Sequence, residues 1–98
     1  MPSAMEPRSP EAIALPARAI ASRIMGEQAL LLHPKADEIK LTNEVGTLVW
    51  QLVCERRHTA EQIARAVSEA FEVDGATAEV DVASFLEDLE RGGYLEWG

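Results

Sequence analysis

The stretch "IKLTNEVGTLVWQLV", residues 39–53, changes its hydrophobic period part-way along. Through Leu41 it alternates apolar and polar residues, as a strand with one covered face requires. From Val45 onward the apolar residues Val45, Leu48, Val49, Leu52 and Val53 fall three or four apart and form one helical stripe. Thr42 and Asn43 make the switch. Asn43 is suited to cap the helix, because its side-chain oxygen can accept a bond from a free first-turn N–H. Trp50 lies about 100° from the centre of the stripe and is expected at its buried margin. A strand therefore runs straight into a helix. The flanking sequence must supply the rest of the sheet and the helices that cover it.

Upstream, "RAIASRIM" (residues 18–25) sets Ile20, Ser22 and Ile24 on one face and Ala19, Ala21 and Arg23 on the other. Gly26-Glu27 reads as a turn, "QALLLH" as a strand covered on both faces, and "PKAD" as a second turn. In "EIKL" (residues 38–41) Ile39 and Leu41 are expected inward, Glu38 and Lys40 outward. Three short strands with tight turns predict an antiparallel meander. Residues 1–16 hold four of the five prolines and have weak periodicity. They are expected to form a flexible N-terminal tail, leaving 17–98 as the domain.

Downstream, "ERRH" (residues 55–58) ends the first helix. Thr59 and Gln62 fit a capping box for a second helix with Ile63, Val67, Ala70 and Phe71 as its stripe. Thr77 is expected to cap a third, whose stripe is Ala78, Val82, Phe85, Leu86 and Leu89. Gly92-Gly93 stops it, and Tyr94, Leu95 and Trp97 form an apolar tail able to pack back on the body. Strands and helices are segregated along the chain, so the expected class is α+β, a three-stranded antiparallel sheet followed by three helices.

At 98 residues the chain is one domain with a modest core. Its formal net charge is -8, and residues 36–98 alone hold fourteen acids against five bases. Such a surface repels phosphate backbones, which argues against nucleic acid. No apolar run is long enough to span a membrane, and no secretory signal is visible, so a cytoplasmic location is expected. The single Cys54 lies in an apolar stripe and reads as a buried small hydrophobe. His33 and His58 are isolated, each in or beside a turn. No phosphate loop, metal cluster or nucleophile motif is present. The run "EDLE" (residues 87–90) reads as a solvated face. The expectation is a protein that is not an enzyme and needs no cofactor or metal.

With its elements placed, the chain resembles the PqqD family of small leader-peptide-binding domains, the recognition elements of ribosomal peptide (RiPP) biosynthesis. The resemblance spans roughly Ala19 to Leu95. Its first piece is Leu41, Asn43, Gly46 and Trp50, where the strand feeds the first helix. Its second is the helix start Thr59, Glu61 and Ile63. Its third is Asp81, Val82, Phe85, Leu86 and Leu89, followed by Gly93 and Leu95. The chain departs from the family where Thr42 separates Leu41 from Asn43, and where "ERRH" replaces an interhelix glycine.

The resemblance implies a winged helix-turn-helix-like domain with no chemistry of its own. It would hold a precursor's leader peptide between the third strand and the third helix and present it to a modifying enzyme. That enzyme could be a radical-SAM enzyme, a protease or a cyclase. The strand side would be Glu38, Ile39, Lys40 and Leu41, whose outer edge can accept an added strand. The helix side would be Asp81, Phe85 and Asp88, which share one face at i, i+4 and i+7. The acidic helix predicts Lys or Arg in the leader. An open edge also suits self-pairing, so a homodimer competing with the leader belongs to the same expectation. The alternatives are a scaffolding subunit that binds no peptide, and a winged-helix nucleic-acid binder whose second helix would carry Arg65 as its one cation.

Overall fold

The computed structural model describes residues 9–35 and 39–98. In chain order its elements are β1 (Ala14–Pro16), β2 (Ala21–Met25), β3 (Gln28–Leu32), β4 (Lys40–Leu41), α1 (Glu44–Cys54), α2 (Ala60–Phe71), α3 (Gly75–Arg91) and β5 (Leu95–Trp97). The α+β class stands, with three helices and small antiparallel sheets. The meander is there as β2-β3-β4, and a second sheet pairs β1 with β5.

That second sheet lies where a tail was expected. Ala14 pairs with Trp97 and Pro16 with Leu95, and Ala14 is fully buried. The Ala14 N–H donates to the His58 carbonyl, so the same strand also ties down the α1–α2 turn. The other end of the chain returns to the body. Tyr94 packs edge-on against His33 at 5.8 Å, and the Trp97 indole N–H donates to Glu90.

The helices follow their apolar periods. Val49, Trp50 and Val53 of α1, Ile63, Ala64 and Val67 of α2, and Ala78, Val82, Leu86 and Leu89 of α3 are buried with Ala29 and Leu31 of β3 in one core. Trp50 is enclosed rather than marginal, and its indole N–H has no hydrogen-bond partner among the described residues. Ala70 faces solvent, outside the stripe of α2 that the core covers. Asn43 caps α1 by accepting from the Gly46 N–H, and Thr59 with Gln62 forms the expected capping box. α3 begins a turn earlier than expected: Asp74, not Thr77, caps it by accepting from the N–H groups of Ala76 and Thr77. Both residue types cap well.

α2 ends on Glu72 in the left-handed region, φ 53°. A Cβ there is strained, and glycine is the usual occupant. Glu72→Gly is expected to stabilise the fold by about 0.5–1 kcal/mol once the greater entropy of the unfolded chain is counted. Urea unfolding should show a higher midpoint at unchanged slope, and an unchanged midpoint would refute the cap argument.

The β3–β4 register reverses the expected faces of β4. Leu41 stands opposite Leu30 and Lys40 opposite fully buried Leu31. Lys40 is therefore on the core side and half-buried, while Ile39 and Leu41 are 51% and 56% exposed. The cause is Thr42. It takes the inward position two residues after Lys40, and its hydroxyl is needed there.

Candidate functional site

Thr42 is 4% exposed and sits at the junction of β3, β4 and α1. Its Oγ1 accepts the Ala29 N–H at 3.0 Å and lies 2.7 Å from the Thr47 hydroxyl. Thr47 Oγ1 in turn lies 2.9 Å from the Glu27 carbonyl and 2.8 Å from the Asn43 carbonyl. One proton assignment satisfies the whole chain: Ala29 N–H to Thr42, Thr42 O–H to Thr47, Thr47 O–H to a carbonyl. A buried relay thus welds the first turn of α1 to the end of the sheet.

This weld fixes which way β4 presents its backbone. The Thr42 N–H donates to the Ala29 carbonyl. Alternation along an antiparallel strand then turns the N–H and C=O of Lys40 toward β3 and those of Ile39 and Leu41 away from it. β4 is the last strand in its sheet order, so its outer side is an edge.

A cleft of about 350 Å³ opens between the first turn of α1 and the middle of α3. Asn43, Val45 and Gly46 form one wall, Asp81, Ser84, Phe85 and Asp88 the other. Gly46 is the reason the walls meet closely. A Cβ at this position would stand 2.9 Å from Phe85 Cζ and 3.0 Å from Thr42 Cβ. The Phe85 ring is thereby seated against the α1 backbone, half-buried, as an apolar floor. Two carboxylates flank it. Asp88 is held 3.3 Å from Arg91, and Asp81 makes no ion pair among the described residues. The site is thus an apolar slot with an acidic rim.

Of the residues singled out in the sequence, Asp81, Phe85 and Asp88 come together on this cleft. Ile39, Lys40 and Leu41 do not line it; they belong to the adjoining strand, and Glu38 lies outside the described residues. Val45, Gly46 and Ser84 were not singled out as site residues. A glycine inside an otherwise apolar helix was the available signal for Gly46, since it is unfavourable there without a packing reason. Cys54 is exposed, contrary to the buried reading. Partial burial of the thiol nevertheless raises its pKa, against the opposing hydrogen bond to Ser22 and charge of Arg56. The thiol is therefore protonated at neutral pH and poorly nucleophilic.

The profile of the family described as coenzyme PQQ synthesis protein D (PqqD) matches residues 28–95. The chain belongs to the PqqD family. The match takes in β3, β4 and all three helices, and so the whole cleft. Among solved structures, this PqqD-family chain is similar to TbiB1 in complex with the TbiA(beta) leader peptide. The two are 28% identical with a TM-score of 0.76, over 84% of this chain and 94% of that one. It is also similar to the PqqD truncation of Methylobacterium extorquens PqqCD, a functional and stand-alone RiPP recognition element. There the identity is 24% and the TM-score 0.70, over 90% of this chain and 93% of that one. At that identity the second likeness speaks to the fold. No curated protein matches the chain significantly.

Proposed function

We propose that this PqqD-family chain is a non-catalytic recognition domain. It captures the leader peptide of a ribosomally made precursor and presents it to a peptide-modifying enzyme of the radical-SAM, protease or cyclase kind. The leader adds as a strand to the outer edge of β4, pairing with the backbone of Ile39 and Leu41, and lays alternate side chains into the cleft over Phe85. The observation that carries this reading is the edge of β4 beside a slot with an apolar floor and an acidic rim. Main-chain pairing supplies affinity without much sequence demand, and the slot supplies selection. The structural likeness to a protein that holds a leader peptide supports it. The three helices with the β2–β3 hairpin are winged-helix-like on this reading. They lack nucleic-acid chemistry, since α2 carries one arginine, Arg65, and α3 one, Arg91.

The test is an amide-resolved NMR titration with the leader encoded nearest the gene. Shifts confined to Ile39–Leu41, the first turn of α1 and the Asp81–Asp88 face are expected. No shift at near-millimolar leader would overturn the reading.

The rim makes a separate prediction. A double Asp81→Asn, Asp88→Asn variant should bind a basic leader about three- to tenfold more weakly at low salt, and the difference should shrink at high salt. Equal affinity for a leader with its Lys and Arg neutralised would remove the rim from the account.

The scaffolding alternative has one observation in its favour. Met25, Leu32 and Leu41 are 57%, 46% and 56% exposed and share the outer face of the sheet by register. Binding of the enzyme by leader-free protein, with no leader binding at all, would favour it.

A further inference from the structure

A second cleft shares no residue with the leader slot. It encloses about 400 Å³ between the segment linking β1 to β2 and the turn between α1 and α2. Arg18 comes from the first segment and Arg56 from the second, with Glu96 of β5 on the wall. The chain carries 17 acidic residues against nine Lys and Arg, yet among the described residues only Arg57 and Arg91 form ion pairs through a Lys or Arg side chain, with Glu55 and Asp88. Arg18 and Arg56 make no ion pair among the described residues, although both reach the same cleft.

The backbone at Ala19 and at Arg56 turns through the left-handed region. Ala19 has φ 72° and Arg56 φ 61°. Neither residue has a side chain suited to the left-handed region. At Arg56 this is the residue after the C-cap of α1, where helices commonly end in the left-handed region. The two turns bring Arg18 and Arg56 to one cleft from segments far apart in sequence.

We propose that this cleft is a docking site for an acidic segment of a partner polypeptide, with Arg18 and Arg56 receiving its Asp or Glu carboxylates. Guanidinium forks match carboxylate geometry and hold it with charge-assisted hydrogen bonds. The volume suits one or two side chains. A polyanion is the poorer fit, since an extended run of phosphates would meet the net charge of -8 beyond the two arginines. The site is independent of the leader reading, since it lies on other residues and selects the opposite charge.

The test is an NMR titration of the full chain with three probes: a capped Glu-Asp-Glu tripeptide, its neutral Gln-Asn-Gln counterpart, and inorganic phosphate. The acidic tripeptide should give saturable shifts at residues 17–20 and 56–57, and the neutral one none. A double R18Q, R56N variant should weaken that binding about tenfold. Asn tolerates the left-handed backbone at position 56, so the fold is kept, and Arg18→Lys should retain part of the affinity. Phosphate saturating these amides while the acidic tripeptide does not would overturn the peptide assignment. So would equal shifts from the neutral tripeptide, no shifts at all, or binding that the double variant leaves unchanged.

Discussion

Thr42→Val is expected to destabilise the protein by about 2–3 kcal/mol, although it changes one hydroxyl for a methyl of the same shape. The substitution leaves the buried Ala29 N–H without its acceptor and takes from Thr47 Oγ1 its hydroxyl neighbour. An unmade bond to a buried donor carries the full desolvation penalty of that donor. A domain of this size has a total stability of roughly 5–10 kcal/mol, so the change removes a large fraction. Thermal unfolding by circular dichroism should fall by roughly 10–20 °C. Thr47→Val should cost less, about 1–2 kcal/mol, because Thr42 can still accept from Ala29. Thr42→Ser keeps the hydroxyl and should lie near the parent. A Thr42→Val protein within about 0.5 kcal/mol of the parent would show that the relay carries no weight. The same variant bears on function. Thr42 fixes the parity of β4, so loosening it should also blur the edge that the leader is proposed to use.

That parity is what the sequence could not settle. Alternation in "EIKL" is plain, but a period of two defines two faces without saying which is covered. Apolar Ile39 and Leu41 were the natural inward choice. The decision belongs to Thr42, through a bond to Ala29 thirteen positions away and one to Thr47 in the next element. The helices were easier to read, because a 3.6-residue stripe and a capping residue are both local. Asn43 and Thr59 cap as their chemistry requires. The pairing of β1 with β5 was illegible for the opposite reason. Three-residue strands have no period to detect, and Pro16 argues against a strand wherever it is not at an end. The helix side of the cleft was legible as a spacing, Asp81, Phe85 and Asp88 on one face. The wall it meets was not, since only the fold brings Gly46 against Phe85.

Gly46→Ala should therefore weaken leader binding by about tenfold or more, at a cost in stability of about 1–2 kcal/mol from the contact with Thr42. The new Cβ would stand 2.9 Å from Phe85 Cζ, inside any allowed contact, and 3.0 Å from Thr42 Cβ. Thr42 is pinned by its relay and cannot retreat. The Phe85 ring is the far end of a side chain and can swing away, and the open direction is the cleft itself. The intrinsic preference of a helix for Ala over Gly, at most about 1 kcal/mol and less in the first turn, offsets only part of the crowding. The fold survives and the slot fills with the protein's own ring. Phe85→Ala should also weaken binding, by removing the apolar floor, but for a different reason. The two changes touch one contact, so their effects should not add. In the double variant no ring remains to be displaced, and Gly46→Ala should then cost almost nothing further. Binding measured calorimetrically across this cycle decides the matter. Additive losses would mean that Gly46 and Phe85 act on the leader separately. Full affinity in Gly46→Ala would mean that the leader does not enter this cleft.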